Sequence, residues 1–445
     1  MGGIILSEET VHGERLSACR GLTVEQAVRA WQASKIVGPQ RAWPYPFPPM
    51  AGGQTASVPT SVPTQGNSQA GGKVIPFALA TYERSQKQGQ ISVALASAQS
   101  APQKFTVKGT GFMAALALHV YADASGNAST NSVAFAEDAP WNVFPQVTLE
   151  DSNGQILNLD GFSLYEANLI DKHYINRFLD QAASFIQTTG TGGTAGTFEF
   201  WIWIPIMLNH RDLSALLGNQ DRAQEYTLTL VINSSSNIYG TAPTSLPTVK
   251  VDIYYENFAL PPASSASGAK QAQLPPSYGL LHFLTTQVSD VAPGPGTQNH
   301  YLKRLGNTIR AVGLTFRQGS GSTPRSAANG DLTGVNAAGN NAAVQLVMGD
   351  NTQYNEDYDY RRAKMYQRYG FDFPNGILVY EQMHDFQVGV GNELGTQYWR
   401  TKNLGTTAQF QITYPSAYAA NASNSLTFLT DDLIKNKPTV ALAAA

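Results

Sequence analysis

A single cysteine, Cys19, stands in the 445 residues. An internal disulfide is therefore excluded, and so is any zinc cluster built on cysteines. Charge is also scarce. Asp, Glu, Lys and Arg make up 14% of the chain, and the formal net charge is −3. Such a balance gives no global attraction to nucleic acid or anionic lipid. The longest apolar runs, 112–122 and 200–208, fall well short of a membrane span. The N-terminus, MGGIILSEET, lacks the basic region and apolar core of a signal peptide. It also misses a myristoylation motif, because Ser7 falls one position late. A soluble chain made in a reducing cytoplasm is expected.

What is abundant points elsewhere. The chain holds 40 Gly, 24 Pro and 20 Tyr, and aromatics reach 10%. With many Ser, Thr, Asn and Gln, this composition reads as β-rich, with frequent turns and broad protein contacts. It does not read as a cytosolic metabolic enzyme.

Several motifs that suggest chemistry fail on spacing. His210-Arg211-Asp212-Leu213 opens like a protein-kinase catalytic loop. That loop needs Asn about five residues after Asp, where this chain has Leu217; the next Asn is Asn219. The glycine-rich loop, the VAIK strand and the DFG are missing as well. The Gly-rich stretches 190–197 and 319–326 resemble phosphate loops, yet neither ends in Gly-Lys-Ser/Thr, so both read as flexible loops. His210, His282, His300 and His384 show no metal-ligand spacing and read as core or surface histidines. In DSNGQILNLDG the glycine sits in the wrong register for an EF-hand. Asp350, Glu356, Asp357 and Asp359 crowd together. They read as an acidic helix start stabilised by the dipole, with calcium at a subunit contact as the alternative. The stretch 356–372 interleaves bases with aromatics, but Arg361, Arg362, Lys364 and Arg368 balance Glu356, Asp357, Asp359 and Asp372. A neutral segment builds no counterion-release footprint. A packing helix is expected there, without specific nucleic-acid recognition.

Four segments follow along the chain. Residues 1–72 form an arm. A helix over 23–37 presents Val24, Val28 and Trp31 on one face as an interaction surface. The Pro- and Gly-rich tract 43–72 is extended. Residues 73–262 are β in texture, with strands expected in KVIPFALATYE, GQISVALAS and KFTVKGTGFMAALALHVYA. A hairpin turning at Asn153-Gly154 leads to a helix over 163–179, with Leu164, Ala167, Ile170, Tyr174 and Phe178 on one face. A central strand runs to Leu208, then a short helix near 212–218 with Asp212 as its N-cap, then the strand EYTLTLVI. Residues 263–276 are a proline-bracketed linker. Over 277–445 the pattern restarts. A loop over 319–341 precedes VQLVMGDNTQYN, which matches VTLEDSNGQILN in position and character. Each of the two is followed by a Tyr-rich helix, a central strand and a strand opening on Ala-Gln.

Two consecutive jelly-roll β-sandwiches with short helices, preceded by a helix and an extended arm, satisfy this order. The fold class is mainly β. Over residues 73–434 the sequence resembles the double jelly-roll major capsid proteins of tailless icosahedral viruses, the tectivirus group among them. The resemblance rests on the duplicated strand-turn-helix segments 147–179 and 344–370 and on the stretch 201–232. It implies a structural, non-enzymatic protein of the virion, expectedly of a bacteriophage and made in the host cytoplasm. It implies homotrimers whose six jelly rolls make a pseudo-hexagonal tile, with a mobile N-terminal arm on the inner face of the shell. Neighbouring capsomers, penton and minor capsid proteins and an internal membrane are the partners it implies. No cofactor and no metal are expected. The alternative is a carbohydrate-active or receptor-binding β-sandwich, such as a viral spike or a glycoside hydrolase. A hydrolase needs two carboxylates facing across a cleft, and the sequence singles out none. A phage tail or baseplate protein is a third reading, disfavoured by the duplication.

Overall fold

The computed structural model describes residues 75–123, 133–151, 154–175, 184–185, 196–208, 213–219, 225–261, 274–275, 280–318, 325–333, 341–382, 399–401, 408–419 and 424–435. The arm calls, including Val24, Val28 and Trp31, fall outside these residues, as do Asp212 and most of the linker.

Alternating burial marks the long strands, and eight of them build the first sandwich. They are β1 (Glu83–Ala94), β2 (Gln103–Val107), β3 (Phe112–Asp123), β4 (Gln146–Asp151), β5 (Gly154–Leu159), β6 (Phe198–Pro205), β7 (Tyr226–Val231) and β8 (Thr248–Phe258). One sheet runs in the order β1-β8-β3-β6 and the other β2-β7-β4-β5. The second sandwich repeats this with β9 (Leu280–Asp290), β10 (Gly296–Tyr301), β11 (Thr308–Arg317), β12 (Ala343–Met348), β13 (Asn351–Asp357), β14 (Ile377–Glu381), β15 (Ala408–Tyr414) and β16 (Ser425–Lys435). Its sheets run β9-β16-β11-β14 and β10-β15-β12-β13. Each strand of the first set therefore has a counterpart in the second, with the same neighbours. That connectivity is the jelly roll, made twice.

The two rolls share a sheet. Leu157 and Asn158 of β5 pair in parallel with Leu284 and Thr285 of β9. The joint makes one continuous path, β14-β11-β16-β9-β5-β4-β7-β2. Helix α1 (Gly161–Ile175) follows β5, and helix α3 (Tyr358–Tyr369) follows β13, its counterpart. Helix α2 (Arg325–Leu332) lies between β11 and β12.

Three local expectations are corrected. The stretch expected as a strand at KVIPFALATYE instead forms one helical turn, Phe77–Ala80. Pro76 lacks the N–H that a ladder needs, and its carbonyl accepts from the Leu79 N–H at 3.0 Å. Phe77 is thereby turned inward onto Phe112, with ring centroids 5.1 Å apart. Second, the short helix near 212–218 is not formed over the described residues. Leu213 and Ala215 sit at φ +53 and +61, outside the right-handed helical region. Leu217–Gly218 instead pairs with Phe112 and Met113 of β3. The apolar spacing that suggested a helix buries Leu213, Ala215 and Leu216 in a tight loop. Third, the segment read as loop over 319–341 contains α2, which buries Ala328 and Leu332.

Candidate functional site

The joint between the two rolls gathers buried polar and charged side chains. It is built around α1. Asp160 starts this helix, its Oδ1 accepting from the Ser163 N–H at 2.9 Å and its Oδ2 from the Ser163 hydroxyl at 2.7 Å. Gly161 is obligatory, because a Cβ there would lie 2.1 Å from the Trp141 carbonyl oxygen. The sequence pattern gave α1 one apolar face. In the structure every residue from Gly161 to Asp171 is buried, including Glu166, Asn168 and Asp171. The reason is position: α1 packs on β6 of the first roll and on β16 of the second.

Each polar residue of α1 has a specific task at that place. Asn168 donates to the Trp203 carbonyl at 2.7 Å and accepts from the Trp203 N–H at 2.9 Å, fixing the helix to β6. Glu166 crosses to the second roll, where the Thr315 hydroxyl donates to its Oε2 at 2.9 Å. Gly313 makes the space, since a Cβ on it would meet Glu166 Oε1 at 2.2 Å. Burial pushes the Glu166 carboxyl up to about 7 against the pull of Thr315.

Asp171 completes a buried ionic cluster with the second roll. Arg310 on β11 lies 3.6 Å from Asp171 Oδ1 and 3.1 Å from Asp431 Oδ2 on β16. His282 on β9 lies 3.0 Å from Asp431 Oδ1. Burial works to raise the Asp431 carboxyl, but Arg310 and His282 more than offset it and hold it below the ordinary value. Next to it, burial pushes Asp432 up to about 7, although Asn307 donates to it at 3.1 Å. Asp171, His282 and Asp431 have the donor types of a metal site, all buried and close. They do not fit one here. The Arg310 guanidinium sits among them, 3.3 Å from His282 Nε2, and supplies the positive charge itself.

A second ionic clasp joins the rolls through Asp138, in the segment before β4. Arg317 and Arg325 reach its two carboxylate oxygens at 2.5 and 2.7 Å. The Arg325 guanidinium also stacks over Phe162 of α1 at 4.3 Å. Glu137 beside it accepts from the Ser326 N–H at 2.6 Å. A sheet pairing, a buried helix and two ionic clasps therefore join the two rolls.

The other sequence candidates find bland places. Glu356 of the acidic group is held by Lys364 at 2.7 Å and Arg361 at 3.3 Å, so the calcium alternative loses its central ligand. The bases of α3 point to protein. Arg361 Nε donates to the Val379 carbonyl at 2.7 Å. Arg362 donates to the Pro374 and Phe373 carbonyls at 2.9 and 2.8 Å, and Arg368 pairs with Glu381 at 2.7 Å. His300 is buried between Ser289 and Tyr414, at 2.9 Å from each. The outward face of β3, β6 and β8 carries an aromatic row. Trp201 stacks on His119 at 4.4 Å and neighbours Trp203 and Tyr254.

The joint was missed in the sequence because its members are far apart along the chain. One signal was available: Arg310 and the Asp431-Asp432 pair interrupt otherwise apolar central strands, where charge survives only when paired.

No protein-family model matches the chain, and no curated protein does. Solved structures do. The chain is similar to the capsid protein in a PBCV-1 virus capsid, at 12% identity and TM-score 0.56, over 79% of this chain and 93% of that one. It is similar to a chain in the atomic structure of Sulfolobus Turreted Icosahedral Virus, at 10% identity and TM-score 0.53, over 80% and 91%. The crystal structure of the STIV major capsid protein gives 10% identity and TM-score 0.50, over 80% and 97%. The fold of this chain is the double jelly roll.

Proposed function

We propose that the protein is the major capsid subunit of a tailless icosahedral virus, located in the virion shell and structural rather than enzymatic. The observation that carries the reading is the duplication of strand order within one chain. Two equivalent rolls per chain let three chains present six equivalent sides, so a trimer tiles as a hexagon. The solved structures similar in fold come from viral capsids, one of PBCV-1 and one of a Sulfolobus virus. The fold is therefore not particular to bacteriophages. A hydrolase or sugar-binding protein is less well supported. The buried carboxylates of the joint are held within the protein, Glu166 by Thr315, Asp431 by Arg310 and His282, and Asp432 by Asn307.

The test is light scattering on the purified chain, followed by electron microscopy. A stable species of three chains, and hexagonal tiles or shells at high concentration, are expected. A monomer at micromolar concentration overturns the reading.

The arm gives a separate prediction. A helix over 23–37 is too short to be stable alone in water, so the stripe Val24, Val28 and Trp31 needs a partner. A neighbouring capsomer, a penton or minor capsid protein, or an underlying membrane fits that need. Deleting residues 1–40 is expected to leave the rolls folded, with an unchanged denaturation midpoint, and to reduce shell yield severalfold. Normal assembly by the truncated chain refutes this role for the arm.

A further inference from the structure

The joint between the two rolls is head-to-tail. The fifth strand of one roll, β5, lies against the first strand of the next, β9. A contact of this kind uses different surfaces on its two sides, so it leaves one of each unused at the ends of the pair. Those ends are identifiable. The first strand of the first roll, β1, is the margin of its sheet. The fifth strand of the second roll, β13, is the margin of the four-stranded sheet β10-β15-β12-β13. Both are largely exposed along their length. Long open sheet margins recruit strands from other chains unless they are covered.

We infer that β13 of one copy pairs in parallel with β1 of the next, repeating between chains the β5–β9 joint made within the chain. The proposal rests on the trimeric reading above and specifies the surfaces that close it. The register follows from the internal joint. In the hairpins, Thr148 pairs with Asn158 and Gln345 with Asn355, so Asn355 is the counterpart of Asn158. On the other side, Ala94 pairs with Thr248 and Asp290 with Ser425. Counting back equally from Ala94 and Asp290 sets Leu284 and Thr285 against Gln88 and Gly89. Here β1 also shifts register, between Lys87 and Gly89, the mark of a bulge at Gln88. The internal joint spans only two residue pairs, so a short stretch is what the copy requires. Six such joints of one sixth of a turn each close a ring with alternating first and second rolls.

The experiment is site-directed cross-linking of the full chain in a Cys19→Ser background. Gln88→Cys with Asn355→Cys is treated with a short bismaleimide. Asn158→Cys with Thr285→Cys serves as the control for the joint within the chain. The double variant is expected to convert most chains into covalent dimers and trimers on a denaturing gel, with nothing larger. Either single variant stays monomeric on the gel. A trimer in solution that gives no inter-chain cross-link, while the control reacts, overturns the proposed pairing and leaves the capsid reading standing. A monomer in solution overturns both. A ladder running beyond three chains shows an open filament and overturns the ring.

Discussion

Replacing Arg310 with methionine is expected to destabilise the protein by about 3–5 kcal/mol, the usual cost of stripping one partner from a buried ion pair. Arg310 is fully buried and faces Asp171, Asp431 and His282. Methionine matches much of its bulk but none of its charge, so two carboxylates are left in a dry interior. Lysine is no remedy, because a single ammonium does not reach both carboxylates as the planar fork does. The midpoint of denaturant unfolding should fall, and α1 should become accessible to protease, since Asp171 is one of its ties to the second roll. Adding Asp171→Asn and Asp431→Asn to Arg310→Met is expected to restore part of the loss by removing the stranded charge. A wild-type midpoint for Arg310→Met would falsify the view that this cluster holds the rolls together.

Much of this arrangement was legible before any coordinates. Period-two alternation located most strands, and the turn residues placed the hairpin at Gly154, whose φ of +139 favours glycine. The duplication was legible because VTLEDSNGQILN and VQLVMGDNTQYN each precede a helix, and the jelly-roll fold follows from that order. Two of the three errors share a cause. At Pro76, Leu213 and Ala215 the backbone turns to bury a side chain, and local spacing does not encode that. The joint was illegible for a different reason. Glu166, Asp171, His282, Arg310 and Asp431 lie on four separate elements, and only the pairing of β5 with β9 brings them together. The helix α1 shows the two limits at once. Its existence was read correctly, but its burial on all sides depends on a second roll that no local window contains.

The same joint should make stability depend on pH, with the optimum on the acid side. Glu166 and Asp432 keep their protons in the folded state up to about 7, against ordinary values of 4.5 and 3.8. A group raised in this way contributes stability that is complete below its unfolded value and is lost as pH rises through its folded one. Burial raises Glu381 under α3 in the same direction. His300 acts oppositely: burial lowers it from 6.5 to about 4, so its contribution is present above 6.5 and is lost on acidification. Asp431 is held low and loses its contribution only below the ordinary carboxylate range. At roughly 1.4 kcal/mol for each pH interval of one between folded and unfolded values, Glu166 and Asp432 together favour pH 5 over pH 8 by about 5 kcal/mol. His300 offsets about 2 kcal/mol of this on the same basis, and the net gain at pH 5 is about 3 kcal/mol. Denaturant midpoints measured at pH 5 and pH 8 should therefore differ, with the acid value higher. Glu166→Gln keeps an acceptor for Thr315 and removes the titration, so it should raise the pH 8 midpoint and remove about half of the carboxylate slope. A higher midpoint at pH 8 in the wild type, unaltered in Glu166→Gln, contradicts the assignment. Because Glu166 bridges α1 to β11, the alkaline loss falls on the contact between the rolls.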